Sequence, residues 1–125
     1  MNPNNYATLE QSKRMKELGY PQTETDCVWA TLGRKRNQFI IYTREELNWR
    51  DGVPALDDGD GDPSVFFTEW YAAPNASEIE LNTENIHLIY DGTFCIKNDI
   101  TVFGKIHHAQ ARCDAWIEKE NKSGQ

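Results

Sequence analysis

Asp91-Gly92, set between the apolar runs Ile86 to Tyr90 and Thr93 to Lys97, narrows the fold more than any other feature of the chain. An Asp-Gly pair between such runs suits a two-residue type I′ turn, whose twist matches that of antiparallel strands. The turn pairs Tyr90 with Thr93, Ile89 with Phe94, Leu88 with Cys95 and His87 with Ile96. One face then carries Ile86, Leu88, Tyr90 and Cys95, and the other His87, Ile89, Phe94 and Ile96. Both faces are largely apolar, so the hairpin needs cover on two sides. Helices and a second layer can supply it, as can another subunit, which points to a homodimer.

The cover within the chain is legible at its two ends. Thr8 with Gln11 three residues on has the form of a capping box, and Gly19 followed by Tyr20-Pro21 closes a first helix. The segment from Lys105 to Asn121 places Ile106, Ala109, Cys113, Trp116 and Ile117 at helical spacing on one stripe, a second helix with one buried face. Between them, Cys27 to Leu32 and Gln38 to Thr43 read as a hairpin with the basic tip Arg34-Lys35-Arg36. Val65 to Tyr71 reads as a strand, Asn75 with Glu78 as the cap of a short helix, and Ile100 to Phe103 as a last strand. Gly52, Pro54, Gly59, Gly61 and Pro63 make residues 44–64 an irregular acidic loop. The expected architecture is a single α+β domain over residues 1–125. In it an N-terminal helix, a short middle helix and a C-terminal amphipathic helix pack on a largely antiparallel sheet of about five or six strands.

Charge is regional. Residues 1–50 hold 8 basic and 6 acidic groups, residues 51–100 hold 1 and 11, and residues 101–125 hold 4 and 3, which sum to the net -7. An acidic middle repels phosphates and anionic lipid, so nucleic acid and membrane surfaces are unfavourable partners. The clusters Arg34-Lys35-Arg36 near Trp29 and Lys13, Arg14 and Lys16 are the two exceptions. The same acidity admits a DNA-mimic inhibitor, though a loop cannot by itself keep phosphate-like spacing. Apolar runs such as Phe39-Ile40-Ile41-Tyr42 are far too short to span a bilayer, and the start of the chain has no basic and apolar leader, so a cytoplasmic protein is expected.

The sharpest chemical pattern is the stretch from Asp58 to Glu69. It places Asp58, Asp60 and Asp62 at positions 1, 3 and 5 and Glu69 at position 12 of an EF-hand-like loop, the oxygen spacing that Ca²⁺ takes. Pro63 stands where a residue tolerant of positive φ is required, and the flanks do not read as helices. An ordinary solvated acidic loop is therefore the favoured reading, and a noncanonical cation site made by Asp58, Asp60 and Asp62 is the alternative. Cys27, Cys95 and Cys113 are widely spaced and form no C-x-x-C pair, which reads as buried free thiols. His107 and His108, adjacent on the expected helix, point in different directions, and the hairpin register turns His87 away from Cys95. No nucleophile elbow, zinc motif or phosphate-binding glycine loop is present, and no cofactor is implied.

Three stretches carry a resemblance: Thr8 to Gln22 (TLEQSKRMKELGYPQ), Tyr71 to Glu78 (YAAPNASE) and Ala109 to Glu118 (AQARCDAWIE). Together they cover about a quarter of the chain, and they resemble a family of small bacteriophage and prophage proteins, notably of gut Bacteroidetes. The resemblance implies a phage or mobile-element origin and a compact α+β fold, and carries no catalytic residues over. The chain departs from the family pattern between Trp49 and Thr68. With no catalytic motif, the leading expectation is a non-enzymatic accessory protein that binds another protein. A Ca²⁺-binding module and an enzyme with an unrecognised site are the alternatives.

Overall fold

The computed structural model describes residues 5–31, 38–57, 63–81, 85–89, 91–97 and 101–123. In chain order these form helix α1 (Leu9–Glu17), strands β1 (Cys27–Thr31) and β2 (Ile40–Thr43), a 3-10 turn (Arg44–Glu46), and strands β3 (Asn48–Arg50), β4 (Val53–Asp57), β5 (Pro63–Phe66) and β6 (Glu69–Ala72). A second 3-10 turn (Ala76–Glu78), strands β7 (Ile86–Leu88), β8 (Thr93–Ile96) and β9 (Gly104–Lys105), and helix α2 (Ala109–Ser123) complete the order. The class is α+β, and all described strand pairs are antiparallel. In place of the expected single sheet there are three, ordered β2-β1-β6, β3-β4-β5 and β7-β8-β9.

Local chemistry accounts for the ends of α1. The Thr8 hydroxyl accepts from the Gln11 N–H at 3.1 Å while the Gln11 side chain accepts from the Thr8 N–H at 3.0 Å, so both expected bonds of the capping box form. Gly19, at φ +95°, donates to the Lys16 carbonyl, and Tyr20 donates to the Met15 carbonyl. Those two bonds are a Schellman closure, and glycine is the residue that tolerates its left-handed conformation. Asn75 caps the second 3-10 turn in the same reciprocal way with Glu78, so the expected middle helix is present as a single turn.

Two corrections concern turns. The hairpin of β7 and β8 pairs Ile86 with Ile96, His87 with Cys95 and Leu88 with Phe94, one residue away from the expected register. The Gly92 N–H donates to the Ile89 carbonyl and the Ile89 N–H to the Thr93 carbonyl, so the hairpin closes on Ile89 and Thr93 with Gly92 at φ +88°. A three-residue connection with glycine in the left-handed position replaces the two-residue turn, and one extra loop residue turns each side chain of a strand to the opposite face. The two-residue Asp-Gly turn is found instead at Asp51-Gly52, where both φ values are positive, at 53° and 81°. It joins β3 to β4 inside the segment expected to be irregular. Pro54 is tolerated there because its partner Trp49 occupies a pair that exchanges no backbone bonds, and the Pro54 carbonyl accepts from the Phe67 N–H at 3.0 Å.

The expected strand Val65 to Tyr71 is likewise two strands in two sheets. Phe67 is buried and bonded to Pro54, whereas the Thr68 N–H bonds to the Thr31 carbonyl, so the chain changes sheets between them. The last strand is Gly104–Lys105 rather than Ile100 to Phe103; Ile100 lies outside the described residues, as does the basic tip Arg34-Lys35-Arg36. Helix α2 starts at Ala109, so His107 and His108 precede it.

Burial follows from these placements. Val28, Ala30, Leu47 and Phe67 close one core between the first two sheets, and Ala7, Met15, Ile79 and Cys113 close another between the helices. Phe94, Ala111 and Ala115 form a third, where α2 covers the β7-β8-β9 sheet with Ile86, Ile96 and Phe103 around it. Residues directly opposite in antiparallel strands share a face, so Ile86, Phe94 and Ile96 point to α2 and His87 and Cys95 to the other side. On that face α2 covers Ile86, Phe94 and Ile96, whereas Leu88, opposite Phe94, is 62% exposed. Phe94 has no solvent exposure, and Phe94→Ala should cost about 3–5 kcal/mol through lost burial and the cavity left behind. Urea unfolding of the two proteins, followed by tryptophan fluorescence, measures that difference.

Candidate functional site

The Schellman closure of α1 does more than end a helix. It delivers Tyr20 to the mouth of an open cleft of about 460 Å³, whose walls include Glu24, Glu78, Glu80 and Trp116. The Tyr20 and Trp116 rings meet edge to face, with centroids 5.2 Å apart and planes at 82°, and both pack on the core of Ala7, Met15, Ile79 and Cys113. Tyr20 is further fixed by its hydroxyl, which donates to the Glu78 carbonyl at 3.1 Å. Burial, and then the carboxylates of Glu78, Glu24 and Glu80 with the Cys113 thiol, push its phenol up to about 12.

Glu78 ties the cleft together. One carboxylate oxygen accepts from the Asn75 N–H at 2.8 Å and the other from the Asp26 N–H at 3.0 Å, which links the 3-10 turn to a segment 52 residues earlier. Burial raises its pKa above the usual carboxylate range, and the two backbone donors and the Arg44 charge offset only part of that effect. Arg44 braces the same segment from the other side. It donates from Nε to the Thr25 carbonyl at 2.7 Å and from a terminal nitrogen to the Gln22 carbonyl at 2.9 Å, with its guanidinium 4.4 Å from the Trp49 ring centre. Of the other two hydroxyl residues lining the cleft beside Tyr20, Ser77 donates to Asn75 Oδ1 and Thr25 to the Cys27 carbonyl. Among the described residues the lining contains no histidine and no thiol. Its chemistry is that of a rigid pair of aromatic rings beside carboxylates, which suits a cation.

The residues singled out from the sequence are scattered. Asp58, Asp60 and Asp62 lie outside the described residues. Glu69 is exposed on β6, where it accepts from the Tyr71 hydroxyl at 3.1 Å, whereas β4 and β5, the strands that flank the Asp run, pair with each other in another sheet. Among the described residues no group of three His, Cys, Asp or Glu side chains is placed to hold a metal ion. His107 and His108 stack edge to face at 4.6 Å ahead of α2. The register correction brings His87 opposite Cys95 after all, with His87 exposed and Cys95 half-buried. Lys13 sits 4.9 Å from the Phe39 ring centre and Lys16 5.1 Å from that of Tyr71, so both are engaged with aromatic faces. Arg14 pairs with Glu17 at 3.0 Å and with Asn121.

Sequence reasoning missed the cleft, although each part had a local signal: Tyr20 as the residue after the closing glycine, Glu78 as a cap and Trp116 as a stripe position. No family model, curated protein or solved structure matches the chain. No helix among the described residues is long and apolar enough to cross a membrane.

Two outcomes follow from the burial of charge. Because the folded pKa of Glu78 is raised, its contribution to stability is fully present below the unfolded value, about 4.3, and is lost as pH rises through the folded one. Glu78→Gln lacks that titration, so its stability relative to the parent should improve between pH 4 and pH 7, measured by urea unfolding across the range. Burial pushes the Cys113 thiol far up and the Cys27 thiol up, while Cys95 is only half-buried. Iodoacetamide should therefore alkylate Cys95 first in the native protein and reach Cys113 only on unfolding, read by peptide mass spectrometry.

Proposed function

We propose that this chain is a non-enzymatic accessory protein, of phage or mobile-element type, that acts in the cytoplasm by binding another protein. The observation that carries the reading is the cleft itself, a preformed concavity lined by aromatic rings and carboxylates. Its hydroxyl groups are committed to the fold's own acceptors, which favours recognition over reaction. The resemblance of Thr8 to Gln22, Tyr71 to Glu78 and Ala109 to Glu118 to phage proteins supports the origin, and those stretches contain Tyr20, Glu78 and Trp116 of the cleft.

The partner in this reading is a different protein rather than a second copy. Self-association drew its support from a hairpin apolar on two faces, and the observed register turns Ile86, Phe94 and Ile96 toward α2, which leaves Leu88 as the strongly exposed apolar side chain of the described hairpin. Nucleic acid remains a poor partner, because Lys13 and Lys16 rest on aromatic rings and the chain carries net -7. Immobilised protein should retain one protein from lysates of gut Bacteroidetes, and the purified pair should elute as one complex in size-exclusion chromatography with light scattering. A chain that retains nothing, or elutes alone beside every captured protein, overturns the reading.

A further inference from the structure

We propose that the cleft between Tyr20 and Trp116 is a receptor for an arginine side chain presented by a basic peptide segment of the partner, an assignment that rests on the binding reading above. Volume comes first: about 460 Å³ exceeds what one side chain fills and accommodates the residues that flank it. Charge comes next. Glu24 and Glu80 are exposed on two separate segments that converge on the cleft. The oxygens of Glu78 are taken up by the Asn75 and Asp26 N–H groups, so Glu78 adds field while Glu24 and Glu80 keep lone pairs to offer.

Aromatic carbon beside carboxylates favours guanidinium over ammonium. Trp116 and Tyr20 meet edge to face, and both line the cleft together with Glu24 and Glu80. A guanidinium stacks on an aromatic ring while donating in a fork to a carboxylate, and it sheds water more readily than the compact, strongly hydrated ammonium of lysine. The fold already contains this kind of pairing, with the Arg44 guanidinium over the Trp49 ring at 4.4 Å. Tyr20 is held by the closure of α1 and by its hydroxyl bond to Glu78, so the receptor is ordered before anything binds and the ordering cost at association is small.

The test uses the full chain and the peptide acetyl-Gly-Arg-Gly-Arg-Gly-amide, its lysine counterpart, and the double variant Glu24→Gln, Glu80→Gln. The two substitutions are at exposed positions, and circular dichroism with thermal melting establishes that the variant folds. Calorimetry should show one arginine peptide bound per chain, weaker binding as salt rises, and a shift of the Trp116 indole N–H signal in NMR. The lysine peptide should bind several-fold more weakly, and the double variant should lose about tenfold in affinity, as expected for removing charge-assisted contacts. Absence of binding at millimolar peptide, equal affinity for the two peptides, or unchanged affinity in the folded variant overturns the assignment. So does a partner protein retained equally by the parent and the variant, which leaves the binding reading standing; a parent that retains no protein removes that reading and this assignment together.

Discussion

The arrangement of the fold depends on helix α2 being narrow enough to be buried on two sides. Cys113, Trp116 and Ile117 pack with Met15 of α1 and with Ile79 beside the second 3-10 turn, while Ala111 and Ala115 lie on Phe94 of the third sheet. Small residues let the helix axis approach both neighbours closely, and the limit is visible at Gly104, where a Cβ would stand 3.3 Å from the Ala111 Cβ. Glycine at that point, at φ +107°, satisfies the backbone conformation and the close approach at once. A helix held from two directions has little freedom to rotate, so its outer residue Trp116 becomes a fixed wall.

The cleft inherits its rigidity from elements whose first task is local. A glycine that ends α1 places Tyr20, a cap that starts a 3-10 turn places Glu78, and a packing stripe places Trp116. The long-range bonds then lock these local units together: Glu78 to the Asp26 N–H, Arg44 to the Gln22 and Thr25 carbonyls, Gln11 to the Gln110 carbonyl and Asp114. A cleft built this way needs no dedicated motif, which is why its composition is ordinary.

What was legible in the amino-acid sequence was whatever is decided within a few residues. Both capping boxes, the closing Gly19 and the strands of β1 and β2 depend on contacts one or two turns apart or on short periodicity, and each forms as expected; of the α2 stripe Cys113, Trp116 and Ile117 share one core, whereas Ile106 precedes the helix and packs with Phe94. The third hairpin shows where that ends. Its existence was readable from the Asp-Gly pair, but its register depends on whether one more residue joins the loop, and a single residue exchanges the faces of a strand. The same rule missed the true two-residue turn at Asp51-Gly52, because Pro54 was weighed as a strand breaker without the pairing alternation that accommodates it. The switch of sheets at Phe67 and Thr68 depends on Pro54 and Thr31, partners that no local pattern names.

The same division applies to charge. Acidic residues drew attention where they are dense in sequence, from Asp57 to Asp62, because spacing along the chain is what a motif records. The carboxylates that share a surface are Glu24, Glu78 and Glu80, drawn from opposite sides of the boundary that separates the slightly basic first part of the chain from its acidic middle. Density along the chain measures repulsion that solvent and salt screen within about 8–10 Å. Convergence beside aromatic rings, where water is partly displaced, is what gives a carboxylate leverage over a cation. The chain's net charge therefore says less about the field in the cleft than the meeting of Glu24, Glu78 and Glu80 there.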